Sequence, residues 1–195
     1  MTAISSLDEF KRAVDHVWSD IAPSCAVCTD PDCLGYVWLV EEEEEALLDV
    51  GVRTVQVNGE SGPLFLDSYT RDGQGRLVVN QRGPRCPWRG ADGRCMVHAA
   101  RPLVCHMYPL GIERDGRGSY EWGLHTDCHY VRSRSAAQLE KLLADLRQVL
   151  DHTAEPLMDV IVTAFLKSDS VAADETPLNR YLPVAPVTRV TRWSS

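Results

Sequence analysis

Seven cysteines stand in two groups along the chain: Cys25, Cys28 and Cys33 as C-x2-C-x4-C, then Cys86, Cys95, Cys105 and Cys128 at wider intervals. Cys25 and Cys28 form a true CxxC pair. One turn at that spacing brings two thiolates to a single ion or cluster at about 2.3 Å and leaves backbone N–H groups to hydrogen-bond the sulfurs. The opening stretch MTAISSLDEFKRAVDHVW has no basic n-region, continuous apolar h-region or small-residue cleavage site, so it does not read as a signal peptide. A cytoplasmic chain is expected, where thiols stay reduced and clustered cysteines are metal ligands more often than disulfides. The odd count points the same way. The implied chemistry is chelation of zinc or an iron–sulfur cluster by all seven, with buried thiols and redox pairing as the alternatives.

Arg82, Arg85, Arg89, Arg94 and Arg101 surround the second group, with Asp92 the only carboxylate among them. Four thiolates around zinc, or around a 4Fe–4S cluster, carry net negative charge that guanidinium groups can offset while hydrogen-bonding sulfur or local carbonyls. The other reading is an anionic small molecule or protein partner bound beside the cluster. The chain as a whole carries a formal net charge of −8, which gives it no general attraction to nucleic acid or anionic lipid. No apolar run approaches the roughly 18 residues that cross a bilayer.

The elements that must position these groups follow from pattern. With 195 residues, 44% hydrophobic and 25% charged, the chain is expected to form one α+β domain over 1–168 and a proline-containing tail over 169–195. Ser6 and Glu9 form a capping box, and apolar residues then recur at helical spacing from Leu7 to about Ile21. Pro23 follows, and Cys25, Cys28 and Cys33 fall in an expected loop. Tyr36 to Val40 reads as a short strand. Glu41 to Glu45 start a short helix closed by Gly51 and read as a solvated helix start without a function. Thr54 to Val57, Leu64 to Leu66 and Leu77 to Val79 read as strands of a small antiparallel meander. Gly83 to Pro109 is loop-like, and Tyr120 to Leu124 is another candidate strand. A second capping box at Ser135 and Gln138 opens a leucine-striped helix, and Pro156 starts a further one reaching about Lys167.

The string C-M-V-H-A-A-R-P-L-V-C-H-M-Y-P, Cys95 to Pro109, resembles the signature C-x-[IV]-[YH]-x-x-R-P-x-x-C-R-x-[FY]-P of the YkgJ-type cysteine-cluster proteins, the CxxCxxCC family. The resemblance extends upstream through Cys86-Pro87 and the glutamate-led helix to the first cysteine group, and downstream to Cys128. It implies a zinc- or iron-chelating domain. Flagellin lysine N-methylases carry a related domain, so it also implies, by analogy, a metal- or iron–sulfur-dependent enzyme of redox or group-transfer type. No G-x-G-x-x-G, P-loop, H-E-x-x-H or nucleophile elbow supports catalysis independently. An interaction module using the acidic helix start or the tail has no specific sequence support.

Two departures from the signature matter. The family has C-x2-C-x2-C-C where this chain has Cys33 followed by Leu34, so one cysteine is missing. His106 stands where the family has arginine. It is either a compensating ligand or a hydrogen-bonded loop residue, and His98 poses the same choice less strongly. Seven thiolates and one histidine fill two four-coordinate zinc sites, whereas a 4Fe–4S cluster uses four thiolates and leaves three over, so ligand arithmetic slightly favours zinc.

Overall fold

The structure, a computed structural model, describes residues 3–27, 37–59, 61–67, 69–71, 73–74, 77–79, 88, 90, 95–115, 117–172 and 181–187. Cys28, Cys33 and Cys86, and Arg82, Arg85, Arg89 and Arg94, lie outside these residues.

Helix α1 (Leu7–Val17) begins as its capping box requires, with the Ser6 side chain accepting from the Glu9 N–H and the Glu9 carboxylate accepting from the Ser6 N–H. It ends four residues short of the expected Ile21. Trp18 caps it, the chain turns, and a second helix α2 (Ala22–Ala26) follows with Pro23 in its first turn, where the absent N–H has no intrahelical role. Cys25, expected in a loop, therefore sits on a helix.

Strands β1 (Trp38–Leu39), β2 (Thr54–Gln56) and β3 (Leu64–Leu66) form an antiparallel sheet in the order β1-β3-β2, and β4 (Tyr69–Arg71) pairs with β5 (Leu77–Val79) in a second. Between β1 and β2 a 3-10 turn (Glu41–Glu43) leads into helix α3 (Glu44–Asp49). Gly51 follows at φ +78, a conformation open to glycine without the Cβ penalty. After the 3-10 turn His98–Ala100 comes helix α4 (Leu103–Met107) with Pro102 at its N-cap. The stretch from Gly83 to Pro109 thus holds helical turns in its described part.

Strands β6 (Leu110–Arg114), β7 (Tyr120–His125) and β8 (Tyr181–Pro186) form the third sheet, all antiparallel, with Ile112 opposite Trp122 and Gly111 opposite Gly123. Strand β8 comes from the proline-containing tail. Within the tail expected to be extended over 169–195, residues 169–172 are helical, and residues 181–186 are extended and paired, with Pro183 and Pro186 on an outer strand of the sheet where a missing N–H is tolerated. Helices α5 (His129–Arg132), α6 (Ala136–His152) and α7 (Glu155–Ala172) lie between β7 and β8 in sequence. The second capping box opens α6 as expected, and α7 runs five residues past Lys167.

The main core joins Phe10, Val14 and Trp18 to Leu103 and Met107 of α4, Ile112, Trp122 and Leu124 of the third sheet, and the apolar stripes of α6 and α7. The α6 leucines are core, as their spacing suggests. A smaller core holds Val37, Leu39, Leu47, Val52, Leu64 and Leu66. The whole is α+β. No described helix is long and apolar enough to cross a membrane.

Candidate metal centre

Cys128 is the N-cap of α5 and is 7% exposed, within the main core. Helix α2, which carries the exposed Cys25, packs directly against α5. Side chains clamp this corner. The Tyr130 hydroxyl donates to Asp20 Oδ1 at 2.7 Å, and Arg134 donates to Asp20 Oδ2 at 2.7 Å while its guanidinium lies 3.9 Å from the Tyr130 ring centroid. Trp18 meets Tyr130 edge to face at 6.3 Å. Burial and the Asp20 bond push the Tyr130 hydroxyl up to about 12, and the Tyr130 and Arg134 bonds hold Asp20 below its usual range. The turn between α1 and α2 is thereby fixed to α5.

Cys105 lies within α4, half-buried, and packs against the smaller core, as Trp88 and Val97 also do. Both ends of α4 are fastened to α1 and its neighbours. The Leu103 N–H donates to Glu43 Oε1 at 2.6 Å, Lys11 Nζ reaches the same oxygen at 2.7 Å, and the Val40 N–H donates to Oε2 at 3.3 Å. At the other end Trp18 Nε1–H donates to the His106 carbonyl at 2.9 Å. Glu43 is 4% exposed, and burial raises its pKa against the opposing pull of Lys11. Reading Glu41 to Glu45 as wholly solvated is therefore incorrect at Glu43. The signal was its position four residues before Leu47, on the same helical face.

His106 Nδ1 lies 2.9 Å from both oxygens of Asp15. A carboxylate only accepts, so Nδ1 carries the proton and ligation by this ring is confined to Nε2. Burial, the largest influence, lowers the His106 pKa despite Asp15. Arg101 also pairs with Asp15 and contacts His98 Nε2, so the one described member of the arginine group engages a carboxylate and a histidine. Cys95 is half-buried and opens the described stretch that leads to His98.

The face of the third sheet turned away from the main core holds a group the sequence reading did not single out. His125 ends β7, 9% exposed, and its Nε2 lies 2.6 Å from Glu113 Oε1 on β6. Its Nδ1 is buried and has no hydrogen-bond partner among the described residues. The ring lies over Gly111, where a Cβ would come within 2.6 Å of Nε2, and meets Tyr108 edge to face at 5.7 Å. Beside it the Tyr181 ring lies over Gly123, and its hydroxyl donates to Glu121 Oε1 at 2.7 Å, which with burial pushes the hydroxyl pKa up to about 12. The legible signal was the glycine in each of two adjacent strands, which marks close approach of another group to the backbone.

Thiolates suit both zinc and iron–sulfur chemistry, and Cys105 and Cys128 stand on fastened helices. Among the described residues no three His, Cys, Asp or Glu side chains gather as an ion's ligands. Of the seven cysteines expected as ligands, Cys25, Cys95, Cys105 and Cys128 are described, and Cys28, Cys33 and Cys86 lie outside the described residues. Comparisons with protein-family models, curated proteins and solved structures find no match to this chain.

Proposed function

We propose that the chain is a cytoplasmic metal-binding cysteine-cluster protein in which Cys25, Cys28, Cys33, Cys86, Cys95, Cys105 and Cys128 hold zinc or an iron–sulfur cluster. The observation that carries this reading is the packing of α2, which holds Cys25, against α5, which Cys128 caps. Those cysteines are about a hundred residues apart in sequence. The resemblance of Cys95 to Pro109 to the YkgJ-type signature supports the same assignment, and ligand arithmetic favours zinc. When bound, the group supplies a cross-link between loops that carry few apolar residues. The chain's own residues do the rest: Glu43, Lys11 and Trp18 hold α4 and Cys105 in place, while Asp20, Tyr130 and Arg134 hold the corner of Cys25 and Cys128.

Because structural metal-binding energy is also folding energy, Cys105→Ser and Cys28→Ser are expected to lower metal content and cooperative stability together. Metal stoichiometry beside a thermal melt tests this. Full occupancy and an unchanged melt in both variants would reassign the residues as ordinary thiols.

A further inference from the structure

We propose that His125 is the nitrogen ligand of the cysteine-bound metal, coordinating through Nδ1, with Glu113 holding its Nε2–H; this rests on the metal-binding reading above. The Glu113 carboxylate 2.6 Å from Nε2 makes that nitrogen the protonated one, so Nδ1 presents a lone pair. That lone pair is buried and meets no donor among the described residues. Buried polar atoms are almost always partnered, and an orphan of this kind points to a missing ion or water. An imidazole with one nitrogen on a carboxylate and the other directed at an ion is the usual arrangement of a metal-bound histidine, in which the carboxylate fixes tautomer and ring orientation.

Position supports a metal over water. Only the turn residues Thr126 and Asp127 separate His125 from Cys128, so the chain reads H-x2-C, with the cysteine capping α5. Two ligands three residues apart in a turn can serve one ion, as in CxxC. The ring is also held in place, lying over Gly111 and edge-on to Tyr108. Binding takes no proton from this imidazole, because the proton stays on Nε2, whereas each ligating thiol releases one. His125 thus adds an eighth protein ligand to the seven cysteines. His106 is the weaker candidate: Asp15 holds its Nδ1 in the same way, but its Nε2 is not among the buried nitrogens left without a partner among the described residues.

Cobalt(II) added anaerobically to the metal-free full chain tests this, reading thiolate-to-cobalt charge transfer, d–d bands and affinity, with zinc competition. His125→Ala is expected to weaken binding at least about 100-fold, the upper range for losing even an outer partner. Glu113→Gln, which still accepts from Nε2–H, should cost about 10-fold. His125→Cys should restore affinity with d–d bands moved towards a richer sulfur set, and His106→Ala should leave the bands unchanged. If the native chain shows thiolate charge transfer and His125→Ala matches it in affinity and bands, the ligand assignment is overturned and the cysteine reading stands. Loss of cobalt in His106→Ala alone would overturn it too. A native chain that binds neither cobalt nor zinc and carries no iron–sulfur cluster when purified anaerobically overturns both. Should His125→Ala not fold, nitrogen NMR of the zinc-loaded native chain decides: His125 Nδ1 at an unliganded position contradicts the assignment.

Discussion

Glu43 shows how much one buried carboxylate can organise in a chain read as polar at that point. It accepts from the Leu103 and Val40 amides and pairs with Lys11, so α1, α4 and the turn before α3 meet on one side chain. Removing one partner of a buried pair leaves the others unsatisfied and costs about 3–5 kcal/mol. Glu43→Ala is therefore expected to lose stability on that scale, measured by urea unfolding, and Glu43→Gln distinctly less because its amide oxygen still accepts from Leu103. Equal losses in the two variants would contradict the hydrogen-bonding account. Five consecutive glutamates offer no local contrast, so only phase against Leu47 distinguished Glu43 from its neighbours. His125 was obscure for a different reason: its partner Glu113 lies on another strand, and pairing across a sheet is not written in local spacing.

The helices that carry their own start signals were legible, because a capping box and an apolar stripe act within a few residues. Ser6 with Glu9 and Ser135 with Gln138 opened α1 and α6 where expected. Helix ends were less so. Trp18 leaves the helix to donate its indole N–H to His106, a tertiary contact that outweighs the apolar pattern continuing to Ile21. Strands β3 and β5 matched their expected ranges, whereas β8 was hidden by prolines that disfavour inner strands and are acceptable on an outer one. The third sheet also depends on its glycines. In Gly111→Ala the new Cβ would lie 2.6 Å from His125 Nε2 and 3.2 Å from Glu113 Oε1, so the ring must move. A loss of about 1–3 kcal/mol is expected, the usual cost of overpacking. Gly73→Ala, with nothing within 4 Å, is the control and should change little in the same denaturant titration.

At the scale of the whole molecule, α1 and its following turn form the hub on which the cysteine-bearing helices are mounted: α4 through Glu43, Lys11 and Trp18, and α5 through Asp20. The α+β class and the approximate place of most elements could be read from sequence because hydrophobic period and turn residues are local. The convergence of distant cysteines is proposed from their type, and the described residues show that α2, which holds Cys25, packs against α5, which Cys128 caps. The central claim is that these thiols hold a metal that also stabilises the fold. The most direct measurement is the metal content and visible spectrum of the full chain purified anaerobically, followed by a thermal melt before and after chelation. The account expects zinc or iron in stoichiometric amount, a visible spectrum only in the iron–sulfur case, and a lower melting temperature once the metal is removed. A folded chain purified without metal, with all seven thiols titrating and a melt indifferent to added zinc or iron, would contradict it.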